Sequence, residues 1–96
     1  MPEMHFVVRW PDETVETCYS PSLVVREHLA VGDSYTVTDF VHRARIALTI
    51  ASDRVREKHG FPCSLALGQL ATIEARARSF KEDAAARVLI ESFHPT

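Results

Sequence analysis

Residues 3–10 alternate strictly. Met4, Phe6, Val8 and Trp10 fall on one side, and Glu3, His5, Val7 and Arg9 on the other. A period of two predicts a half-buried strand. Pro11-Asp12-Glu13 supplies a turn, because proline presets φ and aspartate favours local hydrogen bonds. β-formers resume over residues 14–19, so the two segments predict a hairpin. Val15, Thr17 and Tyr19 share one side of the second strand, and Tyr19 is expected to point inward. The turn has no glycine. A bulged turn that needs positive φ would therefore strain Glu13 or Thr14.

Ser20-Pro21 reads as a helix start, with Ser20 as cap and Pro21 in the first turn. A helix of two to three turns is expected, burying Leu23, Val24 and Leu29, and Gly32-Asp33 closes it. Ser34 to Val37 suits a brief strand. Thr38 is placed to cap a long helix whose buried positions run Phe40, Val41, Ala44, Ala47, Leu48, Ala51 and Val55. Ile46 and Ile50 widen that apolar stripe. Lys58, His59 and Gly60 end the helix, with cations at the negative pole and glycine free to turn left-handed. After Phe61-Pro62, a second helix runs from residue 63 or 64 to Phe80. Its seam is Ala66, Leu70, Ile73, Ala77 and Phe80. Gly68 sits inside this helix and predicts a close backbone contact. A last strand covers Arg87 to Phe93. It is apolar on both alternations, which suits a strand paired on both edges.

The expected fold is α+β. An N-terminal β-hairpin and a C-terminal strand share one small sheet. A short helix and a long antiparallel helix pair cover one of its faces. The uncovered face is expected to carry His5, Val7, Arg9, Glu16 and Cys18. The 96 residues make a single domain, 1–96, with a modest core.

Charge changes this picture little. The net charge of −2 excludes bulk attraction to nucleic acid or an acidic membrane. Residues 35–60 carry Arg43, Arg45, Arg54, Arg56 and Lys58 against Asp39, Asp53 and Glu57. That bias suits a solvated helix face, and a nucleic-acid-binding regulator using Arg43, Arg54 and Arg56 is a weaker alternative. No apolar run approaches the ~20 residues that span a bilayer, so no membrane partner is expected. The start Met-Pro-Glu does not resemble a signal peptide. Two cysteines are too few for a disulfide scaffold, so free thiols in the cytoplasm are expected.

The candidate chemistry is sparse. Cys63 lies at a helix start, where a thiol can be activated, and Cys18 lies just before a helix cap. Each is also an ordinary small hydrophobe. Arg9, Trp10 and Tyr19 gather near the hairpin and could hold an anion or a flat ligand; alternatively Trp10 fills the core and Arg9 covers it. Arg9, Trp10, Cys18, Tyr19 and Cys63 are thus the candidate binding residues. His5 and His94 meet if the first and last strands pair. His-x-x-x-His and Cys-x-x-Cys are both absent, so no metal site is expected. The glycines are scattered, which removes a phosphate-cradling loop, and no cofactor is expected. Ser20, Ser22 and Ser64 lack a Gly-x-Ser-x-Gly elbow.

The runs RWPDETVETCYSPSLVV and FVHRARIALTIASDRVREKHGFPCSLALGQLATIEA resemble a known family. It comprises the small nitrogen starvation response proteins of bacterial gene clusters that also encode a nitrilase. The most specific pieces are the R-W-P-D turn, C-Y-S-P-S, A-L-T-I-A-S-x-R-V-R and G-F-x-C-S. One departure is Glu13-Thr14 after Pro-Asp, where the family pattern has a small residue or glycine. Neighbours in such clusters include a nitrilase, a radical S-adenosylmethionine enzyme, an acetyltransferase and a flavoprotein. The resemblance implies a role in nitrogen starvation or nitrile metabolism, and it carries over no catalytic residue. The expected function is a non-enzymatic accessory or binding protein that binds a small metabolite or a partner, the product of a neighbouring gene being the expected partner. A small cysteine-dependent enzyme or carrier is the alternative. The wide stripe around Ile46 and Ile50 suggests a homodimer.

Overall fold

The computed structural model describes residues 3–95. Four strands form one antiparallel sheet: β1 (Met4–Arg9), β2 (Val15–Ser20), β3 (Ser34–Thr36) and β4 (Arg87–Pro95). Their order is β2-β1-β4-β3. Two helices, α1 (Val37–His59) and α2 (Ser64–Ala77), pack as an antiparallel pair. Single turns of 3₁₀ helix cover Leu23–Glu27 and Arg78–Phe80. The fold is α+β, as the element pattern predicts.

The core lies between the sheet and α1. Met4, Phe6, Val8 and Trp10 are all buried, as the alternation requires. They meet Phe40, Ala44, Ala47 and Leu48 from α1, and Val88 and Ile90 from β4. Small residues on α1 let that helix approach closely. Ile46 and Ile50 are half-buried, so one chain already covers part of the widened stripe.

The hairpin turn behaves as its sequence predicts. The Glu13 amide donates to the Trp10 carbonyl at 2.9 Å, and the Trp10 amide donates to Thr14 at 2.8 Å. Glu13 adopts φ 72°, the left-handed conformation that glycine takes without strain.

The face of β2 is reversed relative to expectation. Phe6 pairs with Cys18, and His5 with Tyr19. Directly opposed residues share a face, so Cys18 and Glu16 turn inward while Tyr19 turns outward with His5. The register set by the turn decides this, and the small Cys18 and Ser20 fit inside.

The short helix is also weaker than expected. Ser22, not Ser20, is its cap, and its hydroxyl accepts from the Val24 amide at 3.2 Å. Ser20 instead braces the entry, donating to the Ser22 carbonyl at 2.7 Å. The β-branched Val24-Val25 pair suits a single 3₁₀ turn better than an α-helix.

Strand β3 ends earlier than anticipated, so α1 starts earlier too. Thr36 rather than Thr38 caps α1, accepting from the Asp39 amide at 3.2 Å. Gly60 closes α1 at φ 86°, as expected. Gly68 makes no close contact, because a Cβ built there meets nothing within 4 Å.

Strand β4 pairs with both β1 and β3. Its mixed alternation has a second cause. Val7 pairs with Ser92 and Val8 with Ile90, so Glu91 is an extra residue in a β-bulge. The bulge shifts the phase and brings the Glu91 carboxylate to Arg9 Nε at 2.6 Å. Beyond it, His94 stands opposite His5.

Candidate functional site

The five residues singled out by sequence do not converge. Arg9 lies on the outer face of the sheet and is held by Glu91 and Glu13. Trp10 is buried. Its ring stacks on Phe80 at 5.9 Å and meets Phe40 edge-on at 5.5 Å, and its N–H donates to Glu16 at 2.9 Å. Trp10 therefore has no surface to offer a ligand. Cys18 is fully buried, and burial first, then the charge of Glu16, pushes its thiol well above the usual range. A thiol that does not ionise is a poor nucleophile, so Cys18 is a filler of the sheet–helix layer.

Tyr19 and Cys63 do meet. The Tyr19 side chain lies beside those of Cys63 and Glu3, and both act on its hydroxyl. Burial, then the negative charge of Glu3, raises the phenol to about 12. Cys63 occupies the residue before α2, and its amide donates to the buried Ser52 hydroxyl at 3.1 Å. The Tyr19 amide, at the sheet edge, donates to Gln69 of α2 at 2.9 Å. The first bond ties the start of α2 to α1, and the second ties α2 to β2. Between them lies a cavity of about 200 Å³, walled by Glu3, Tyr19, Pro21, Val55, His59 and Cys63. Among the described residues, no three His, Cys, Asp or Glu side chains gather to hold a metal ion.

A larger cleft lies at the opposite end of the helix pair, with a volume of about 600 Å³. It is bounded by the start of α1, the end of α2 and the connector after Phe80. Val41, Ala77 and Phe80 give it an apolar side. Phe80 is backed by Trp10, so the hairpin core sets the position of that wall. Arg45 and Glu74 span the two helices at 2.6 Å and form another wall. His42, Arg78 and Lys81 complete the rim, and their side chains have no hydrogen-bond or ion-pair partner among the described residues.

Sequence reasoning missed this cleft. Its residues come from segments 36–45 and 74–84, each of which reads alone as helix surface. The available signal was the cluster of Arg76, Arg78 and Lys81 at a helix end, which the helix dipole also favours. Of the three arginines considered for nucleic acid, two are occupied locally: Arg43 bonds Asp39 and the His28 carbonyl and lies over Tyr35, and Arg54 donates to Ser22, whereas Arg56 is exposed and has no side-chain partner among the described residues. No helix of the described residues is long and apolar enough to cross a membrane.

The family model for the nitrogen starvation-induced protein NitG matches residues 5–93. The chain belongs to this family. The match spans both helices, nearly all of the sheet and the lining of both cavities apart from Glu3. No curated protein and no solved structure matches the chain.

Proposed function

We propose that the protein is a non-enzymatic accessory of nitrogen-starvation metabolism that binds a small metabolite in the cleft between α1 and α2. The carrying observation is the cleft itself. Its volume of about 600 Å³ suits a small organic molecule, and it combines an apolar wall with unspent polar groups. Family membership supplies the nitrogen-starvation setting. The nitrile connection rests on the resemblance to proteins of nitrilase-containing clusters. Two unbridged cysteines suit a reducing cytoplasm.

Thermal unfolding in the presence of a small-molecule extract from nitrogen-starved cells tests this reading. Ligand at ~100 times Kd adds about 2.7 kcal/mol, a shift of roughly 10–20 °C for a chain this size. The wild type is expected to gain stability. Ala84→Trp, which fills the cleft from an exposed position, is expected to gain none. An equal response of both proteins refutes the assignment.

The alternative, a small cysteine-dependent enzyme or carrier, has one observation in its favour. Cys63 lines a cavity beside the Tyr19 hydroxyl and Glu3. It requires an adduct on Cys63 in protein from starved cells, so intact mass spectrometry showing only unmodified protein would sink it.

A further inference from the structure

The charge of the cleft rim narrows what it can hold. Arg45, Arg78 and Lys81 face Glu74 and Asp83 across the lining, an excess of one positive charge apart from His42. Glu74 is committed to Arg45, with two N–H groups at 2.6 and 3.2 Å. The Asp83 carboxylate turns back to accept from the Ala85 amide at 3.1 Å. Arg78 and Lys81 are left with charged donors and no internal acceptor among the described residues. The dipole of α2 favours cations at this end, but it uses none of their hydrogen-bonding capacity.

The start of α1 also faces the cleft, yet it is largely spent. The Val37 amide donates to Ala86, and the Asp39 amide to Thr36. Asp39 in the first turn lies outside the lining, and its carboxylate pairs with Arg43 at 3.0 Å. A small inorganic anion would leave most of the volume and the apolar wall unused. A singly charged group attached to an apolar body uses both sides.

We propose that the cleft takes a small organic carboxylate, its anionic end among His42, Arg78 and Lys81 and its apolar body against Val41, Ala77 and Phe80. This rests on the reading of the cleft as a binding site and assigns its ligand class. Arg78 supplies a planar fork matched to a carboxylate, and Lys81 supplies a mobile point charge. Phe80 supplies a rigid flat surface, because Trp10 stacks behind it.

Titration of the labelled full-length protein with benzoate, benzamide and inorganic phosphate, followed by amide NMR shifts, tests the assignment. Benzoate is expected to move the amides of residues 38–42 and 77–84. Benzamide, the neutral counterpart, is expected to bind about tenfold more weakly, as loss of a charge-assisted contact implies. Arg78→Gln with Lys81→Gln should reduce benzoate to the benzamide level and leave benzamide unchanged. Both side chains are exposed and unpartnered, so spectra away from the cleft should stay as in the wild type. If that variant fails to fold, His42→Gln alone should weaken benzoate but not benzamide.

Benzamide binding as tightly as benzoate overturns the carboxylate assignment and leaves the cleft as a binding site. Phosphate binding more tightly than benzoate also overturns it. Cleft amides that ignore all three probes at roughly tens of millimolar overturn both the assignment and the binding reading.

Discussion

Replacing Glu13 with glycine should stabilise this fold. Glu13 holds φ at 72°, where the Cβ of an L-residue crowds its own backbone. That crowding costs roughly 1–2 kcal/mol, and glycine avoids it. Against this, glycine gains freedom in the unfolded chain, worth roughly 0.4–1 kcal/mol. The side chain itself contributes little. Its carboxylate is 80% exposed and 3.5 Å from Arg9, which keeps its closer bond to Glu91 at 2.6 Å. The backbone carbonyl of residue 13, which accepts from Arg9 at 3.3 Å, survives the change. The balance is a gain of about 0.5–1 kcal/mol, or roughly 2–8 °C in Tm for a domain of this size. Urea unfolding followed by circular dichroism measures it, with an unchanged m-value as the sign that only stability moved. Glu13→Ala is the control, since it removes the carboxylate and keeps the crowding. Should Glu13→Gly prove no more stable than Glu13→Ala, the left-handed residue is not a source of strain and the argument fails.

Three further outcomes are expected. Gly68→Ala should stabilise by about 0.8–1 kcal/mol, since the position is exposed, helical and open around its missing Cβ; a loss of stability would reveal an unseen contact. A thiol reagent should label the half-buried Cys63 in the native protein and Cys18 only after unfolding; equal rates would contradict the burial of Cys18. The Tyr19 phenol is raised from 10.0 to about 12, so its share of stability is complete below pH ~10 and is lost as pH climbs through about 12. Phenolate absorbance should show a late step in the wild type that Tyr19→Phe removes, and identical curves for the two would refute the cavity's electrostatics.

The elements were legible because each rests on local physics. Alternation over residues 3–10 describes one buried strand face, and all four inward residues are buried. Asp39 in the first turn and Gly60 at the end bracket α1 as dipole and handedness require. What failed depended on neighbours. Nothing local told Tyr19 from Cys18 as the inward residue, because the registry with β1 sets the face. Gly68 implied a contact that no neighbour makes. The bulge at Glu91 could not be read from β4 alone, since it is a mismatch between two strands.

The candidate sites divide in the same way. Tyr19 and Cys63 were named individually, 44 positions apart in numbering, and only the packing of α2 on β2 joins them with Glu3 around a cavity. The cleft rimmed by His42, Arg78 and Lys81 has no sequence motif at all. Its existence follows from where two helices diverge and from Phe80 stacking on Trp10. Sequence by itself determined the α+β class, the hairpin with its strained turn, the long helix pair and membership of the nitrogen starvation-induced family. Periodicity, capping and turn chemistry act over a few residues, so a single chain read in order contains them. Tertiary structure decided strand register, the inertness of Cys18 and both cavities. Those depend on which distant surfaces exclude water together, and that is settled only when the chain packs.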